Sequence, residues 1–228
     1  MTDALLLSLK TSAIAQALIL LVGTPTAYLL ATRRFPGRPL AVVCVELPLV
    51  LPPAVAGIGL IAAFGRFGLL GGTLSALGIR LGLTQAAVVL AVAFVASPLY
   101  LRQAIAVFEA IDPDLVAASR TLGAGPARTF FRVVLPLARR GLAAGEALAF
   151  ARGLGEFGAT IMFAGSLQGV TQTLPLAIYT AFDLDFTTAL AMSALLVVVS
   201  GALLVALRLT LQWQPSRPTS RFLFAPSS

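Results

Sequence analysis

Histidine is absent from this 228-residue sequence, and cysteine (Cys44) and lysine (Lys10) each occur once. These gaps exclude a His-ligated metal site, a Cys/His or Ser/His nucleophilic pair, and a disulfide within the chain. No G-x-x-x-x-G-K-[ST] loop is present, so ATP has no phosphate-binding loop here. Charge is scarce as well: 11% of residues are charged, against about 25% in a soluble domain. The expectation is a protein without catalytic residues, metal or cofactor of its own.

What the sequence has in excess is apolar surface. Hydrophobic residues make up 58% of it, and the mean hydropathy is +0.96. A domain of this size buries at most about three quarters of its unfolded surface, so the remaining apolar side chains need lipid as their solvent. The formal charge of +7 does not point to nucleic acid, because the basic residues lie between hydrophobic runs rather than on one face with aromatic stacking partners. The run from Thr11 to Ala31 is too long for a secretory signal and ends at Arg33 and Arg34, so it reads as a retained span.

Five stretches have the length to cross a bilayer of about 30 Å, given about 1.5 Å per residue. They are 9–31, 40–64, 84–101, 141–164 and 186–207, with room for a sixth within 66–83 or 168–182, read as external loop helices. The fold class is therefore all-α, a polytopic transmembrane bundle in one domain over 1–212. The Pro- and Ser-rich tail 213–228 is expected to be disordered. No repeat period is visible. The second span holds Glu46 and the fourth holds Glu146, Arg152 and Glu156, so these two should face protein or a water-filled path.

Segments 32–39, 102–140 and 208–228 carry twelve arginines, whereas 65–83 carries two and 165–185 none. The positive-inside bias puts the first set in the cytoplasm, the N-terminus outside and the C-terminus inside. Lys10 and Glu46 read as interfacial anchors, Cys44 as a small buried residue, and Tyr100 and Trp213 as members of an aromatic belt.

Leu-Pro recurs at 47–48, 51–52, 135–136 and 174–175, each marking a helix start, kink or break. Pro52-Pro53 removes two amide donors near mid-membrane and must break the second span, and Gly57 then permits close helix contact. That kink serves either packing or a translocation path. Arg152 and Glu156 are four residues apart, on one face of the fourth span and able to pair. Either the pair is structural, or the arginine briefly meets an anion. Gly153, Gly155 and Gly158 suggest a close helix contact.

Within 102–140, Asp112 suits an N-cap with Pro113 in the first turn, Asp114 suits the positive end of the helix dipole, and Gly123 supplies a left-handed terminator. A helix of about ten residues is unstable alone, so either its own bundle or a partner must cover it. The spacing of Ala117-Ala118, Gly123, Val133 and Leu135-Pro136 resembles the E-A-A loop of binding-protein-dependent ABC importer permeases. The resemblance extends from about Glu46 to about Thr180. Glu46–Gly57, Phe64–Gly68 and Phe150–Thr160 are similar to permeases for tetrahedral oxyanions, and Thr171–Tyr179 looks more like the molybdate branch than the sulfate branch.

The resemblance implies a type I importer permease that carries molybdate, or alternatively sulfate, thiosulfate or tungstate, across the bacterial inner membrane. It also implies a second copy of the chain, a cytoplasmic ABC ATPase dimer that uses the ATP, and an extracytoplasmic oxyanion-binding protein. Asp114, Ala117, Ala118, Leu122, Gly123 and Ala124 would form the ATPase-docking surface, held by Val133, Leu135 and Pro136. The family's glutamate falls here on Val116, so an ion pair or cap is missing. Pro52, Pro53, Gly57, Arg152 and Glu156 are the candidates for the translocation path. The competing classes are an ion-coupled secondary carrier, for which five spans are few, and an intramembrane enzyme, disfavoured by the missing histidine.

Orientation is directly testable. In a Cys44→Ala background, single cysteines at Ser75 and Asp183 should react with an impermeant thiol reagent applied from outside, and one at Ala127 should not. The opposite labelling pattern would invert the topology.

Overall fold

The structure is a computed structural model that describes residues 2–212, with no side chains described at 207, 208 and 210–212. The expected tail 213–228, with Trp213, Arg217 and Arg221, lies outside the described residues. All regular structure among the described residues is helical.

The first helix, α1, runs over Thr2–Thr32 with a π turn at Ile19–Gly23. Pro25 explains the turn: it has no amide to give the carbonyl four residues back, at Leu21, so the ladder loosens there. Next come α2 (Arg38–Val50) and α3 (Pro53–Phe64), separated where Leu51 and Pro52 take extended conformations, ψ 136° and 135°. This is the break expected from Pro52-Pro53. A short α4 (Gly71–Ala76) leads to α5 (Gln85–Glu109), whose start is capped by Thr84. After α6 (Pro113–Thr121), a single helix α7 covers 126–154, again with a π turn, Phe130–Val134, that ends two residues before a proline, Pro136. The chain ends with α8 (Gly158–Ala164), α9 (Leu174–Leu184) and α10 (Phe186–Gln212).

Among the described residues three helices are long and apolar enough to cross a membrane alone: α1, α5 and the 21 residues Phe186–Ala206 of α10. The second and fourth expected spans are each split in two. The fourth was expected as one run over 141–164, yet its helix starts at 126 and stops at Leu154. The segment 102–140, expected to form a short helix, a turn and a second helix leading back to the membrane, does so through α6 and α7, and α5 in addition continues to Glu109. Hydropathy windows register apolar content, and both helices run past the apolar stretch on charged but helix-compatible sequence. At 11 residues, α9 is too short to span.

The core is organised around α5, which packs on α1, α2, α3, α7 and α8. Ala87, Ala91, Ala96 and Ala104 are fully buried there and let neighbouring backbones come close. On the α7 side, Gly141, Gly145 and Gly153 receive Val107, Gln103 and Val92 of α5. Tyr100 is not in an aromatic belt. It is fully buried, stacked over Gly23, with its hydroxyl 2.5 Å from Thr24 Oγ1. Cys44 is exposed rather than buried, because the only buried residue of α2 is Pro48. Glu46 is not a lone anchor, for Arg102 Nε lies 3.1 Å from its Oε1. Lys10 donates to Gln85 Oε1 at 3.0 Å.

A second cluster ties the ends of the bundle. Ser8 Oγ accepts from the Leu174 amide at 2.7 Å, and Ala4, Leu174, Ala177 and Met192 pack together. Asp185 caps the start of α10; the Thr188 hydroxyl and the amides of Thr188 and Thr187 hold its carboxyl below the usual carboxylate range.

Helix α3 lies directly on α8. A Cβ at Gly57 would meet Met162 Cβ at 2.6 Å and the Ala159 carbonyl at 2.8 Å, whereas one at Gly59 would meet nothing within 4 Å. Gly57→Ala should therefore destabilise the purified protein by about 1–3 kcal/mol through overpacking. Gly59→Ala should be neutral or stabilising by up to about 1 kcal/mol. Thermal unfolding in detergent reads both, and equal behaviour of the two variants would show that α3 does not rest on α8.

Candidate functional site

Four of the five path candidates meet where two broken helices cross, and the fifth, Arg152, reaches in through an ion pair. The first break is Leu51-Pro52, before α3. Neither Pro52 nor Pro53 has an amide, so the carbonyls of Pro48 and Leu49 lose their helical donors. The second break, Gly155-Glu156-Phe157, separates α7 from α8. Pro53 of the first break faces Gly158 of the second, whose Cβ would lie 2.5 Å from Pro53 Cβ. Pro52 and Pro53 are exposed in the single chain, while Gly57 is buried against α8.

Glu156 holds the second break together. Its Oε1 accepts from the Ala159 amide at 2.8 Å, satisfying a free donor at the start of α8, and its Oε2 pairs with Arg152 Nη1 at 2.8 Å. The carboxylate side chain is 1% exposed and the arginine 33%. The i,i+4 pair expected from the sequence is present, but it bridges the end of one helix to the start of the next instead of lying along one face. Gly153 and Gly158 do sit in close contacts, with α5 and α3 respectively; nothing lies within 4 Å of a Cβ at Gly155.

Further polar groups, Gln16 and Thr160 among them not singled out in the sequence, are buried in the bundle. The amide of Gln16, on a residue 5% exposed, has no hydrogen-bond partner on either atom among the described residues. Its Nε2 would stand 3.3 Å from a Cβ at Gly153. Thr160 Oγ1, fully buried on α8, and Glu146 Oε2 on α7 are also without a partner among the described residues. The available signal was the presence of Gln16 and Glu146 inside apolar runs, but which way they face is not encoded in hydropathy.

The second candidate region is α6. Asp112 Oδ1 accepts from the Asp114 amide at 2.9 Å, Pro113 begins the helix, and Gly123 ends it at φ +83°. Amides of Gly123 and Ala124 close back onto Arg120 and Ser119. None of its nine residues is buried. Asp114, Ala117 and Ala118 are exposed, and Leu115 and Leu122 are 48% and 88% exposed, which is a large apolar area on so short a helix. Ala124 is half-buried.

Two links join α6 to the bundle: Ser119 Oγ and Thr129 Oγ1 are 3.1 Å apart, and Val116 packs against the core. At Val116, where the resemblance expects glutamate, an apolar anchor replaces a charge. Of the scaffold residues, Val133 and Leu135 are half-buried and Pro136 is exposed. The two regions do not touch. The regular part of α7, 20 residues, separates them by about 30 Å.

Comparison with known proteins agrees in sequence and in fold. Residues 23–212 match the family described as binding-protein-dependent transport system inner membrane component. The molybdenum transport system permease protein ModB of Mycobacterium tuberculosis is 48% identical over 200 residues, covering 87% of this chain and 75% of that one. The sulfate transport system permease protein CysW of Synechococcus elongatus is 37% identical over 205 residues, 90% of this chain and 71% of that one. Among solved structures, a chain of the MetNI methionine ABC transporter superposes with a TM-score of 0.69 at 21% identity, over 92% of this chain and 94% of that one. With split helices, a short exposed helix ended by glycine, and a match over most of its length, the chain belongs to the binding-protein-dependent transport system inner membrane components, the permeases of ABC importers.

Proposed function

We propose that the chain is the membrane-spanning subunit of an ATP-driven molybdate importer. Two copies enclose the path, a separate pair of ABC ATPases docks on α6, and an extracytoplasmic binding protein delivers the anion. The N-terminus lies outside and the C-terminus in the cytoplasm, in the inner membrane of a bacterium. The observation that carries the substrate is the likeness to a molybdenum permease, which exceeds that to a sulfate permease. ATP belongs to the partner, and this chain supplies docking and path.

The geometry supports a route for force. The capped and glycine-terminated α6 presents Leu115, Ala117, Ala118 and Leu122 as a rigid apolar knob, and a knob of that size needs a groove to cover it. Push or tilt on α6 passes through Ser119–Thr129 and Val116 into the start of α7. Helix α7 transmits it as a rod to Gly155, where α8 and the α3 packed on it can swing. Pro52 and Pro53, exposed at that point, face the path in this reading, and Arg152 is occupied by Glu156.

Cells expressing the chain with its ATPase and binding protein should take up labelled molybdate, with tungstate competing and sulfate not. Equal competition by sulfate would favour the sulfate reading. Uptake that persists without the ATPase and collapses with an uncoupler would mean an ion-coupled carrier. In the same assay Gly123→Val should cut uptake by at least tenfold, since a β-branched residue at positive φ costs about 1–3 kcal/mol and the site offers no steric compensation. Unchanged uptake would remove the coupling role from α6.

A divalent oxyanion needs several convergent donors to replace its hydration, and Arg152 is already paired. The purified permease without its binding protein should therefore show no saturable molybdate binding tighter than about 1 mM, an affinity of about 4 kcal/mol. Micromolar binding in calorimetry, lost in Arg152→Ala, would make Arg152 a substrate ligand.

A further inference from the structure

At the α6 end of the bundle a cleft of about 1080 Å³ opens between the end of α1, the start of α2, the end of α5, and α6. Its size is near the upper end of ordinary ligand pockets, about 300–1,000 Å³. Four arginines line it, Arg33, Arg34, Arg38 and Arg120, against one carboxylate, Glu109. Arg38 is committed to structure: its Nε donates to the Leu30 carbonyl at 2.7 Å, and its Nη2 pairs with Glu109. That residue closes the end of α1 and straps it to the end of α5. Arg33, Arg34 and Arg120 have no ion-pair partner among the described residues, which leaves three positive charges around one mouth.

The inner wall has a different character. Tyr28 and Phe108 meet edge to face there, ring centroids 5.4 Å apart. A bias of arginines toward one side of a membrane protein accounts for their side but not for their convergence on a single cleft backed by aromatic rings. The depth is informative too. Thr32 and Glu109 are the last residues of two spans, so the mouth lies where apolar helices end and headgroups begin.

We infer that this cleft binds the phosphate of an anionic phospholipid of the adjoining leaflet, with glycerol and upper acyl chain against Tyr28 and Phe108. Guanidinium groups suit phosphate oxygens because their paired N–H donors match them geometrically. A soluble phosphate would use the arginines and leave the aromatic wall unused, whereas a lipid uses both. The headgroup joins Arg33 and Arg34, on the α1–α2 linker, to Arg120 on α6, and so fastens the short helix to the bundle. Naming the leaflet cytoplasmic rests on the orientation proposed above, but the binding itself does not.

Native mass spectrometry of the full chain in detergent tests the inference, with phosphatidylglycerol and phosphatidylcholine of identical acyl chains as probes. Three arginines close to an anionic headgroup should give a preference for phosphatidylglycerol of roughly a hundredfold. The triple variant Arg33→Gln/Arg34→Gln/Arg120→Gln should lose that preference, the corresponding Lys triple should keep most of it, and Arg120→Gln alone should lower it about fivefold. Arg66→Gln/Arg80→Gln, which alters arginines outside the cleft, should leave it intact. Equal retention of the two lipids, or an undiminished preference in Arg120→Gln and the Gln triple, would overturn the inference. So would displacement of the lipid by inorganic phosphate, which would make the cleft a soluble-anion site. Molybdate uptake reads the transport function separately, so failure of one reading is distinguishable from failure of the other.

Discussion

Lipid offers no hydrogen bonds, so a helix interrupted at membrane depth has to be received by protein or by a water-filled cavity. The chain interrupts two helices and sets them against each other. Proline makes the first break and removes its own donors in doing so. At the second, a buried carboxylate, Glu156, takes an amide of α8 and is itself neutralised by Arg152. Glycines at 57 and 158 bring the fragments within contact distance, where any side chain would collide. Removing either charge would strand the other in a medium that tolerates neither, which makes the pair a structural joint before it is anything else.

From that joint α7 runs back to the exposed α6, where a hydroxyl pair links the two helices and Val116 packs against the core. The aromatic group of Tyr28, Phe108 and Phe130 stands beside that end and joins α1, α5 and α7. Small residues do the rest of the packing, since between helices in lipid there is little hydrophobic driving force and close van der Waals approach decides association.

Charged and polar residues inside the spans reveal more than the apolar ones do. Glu46 and Arg102 find each other across α2 and α5, Tyr100 finds Thr24, and Lys10 finds Gln85. In each case the sequence marks a residue that lipid would reject without saying which neighbour accepts it. Cys44 shows the converse error. It looked buried because cysteine is a small apolar residue, yet it lies on the exposed face of α2, while Ala41, Val42 and Val45 of the same helix pack against the core. Hydropathy does not distinguish the inside of a protein from the inside of a membrane.

Local chemistry is what could be read along the chain. Apolar run lengths establish a helical membrane protein, Pro52-Pro53 establishes a break, and Asp112, Pro113 and Gly123 establish the start and end of α6, because caps, missing amides and left-handed glycines act within a few residues. The break at Gly155–Phe157 was not legible, for no proline marks it and its surroundings read as one apolar span. At it Gly158 admits Pro53 from a helix about a hundred residues earlier, a contact between distant segments. The extent of α5 and α7, the buried position of Tyr100 and the gathering of Arg33, Arg34 and Arg120 around one cleft arise in the same way. They depend on which helix lies beside which, and that is settled by long-range packing, on which run lengths and caps are silent.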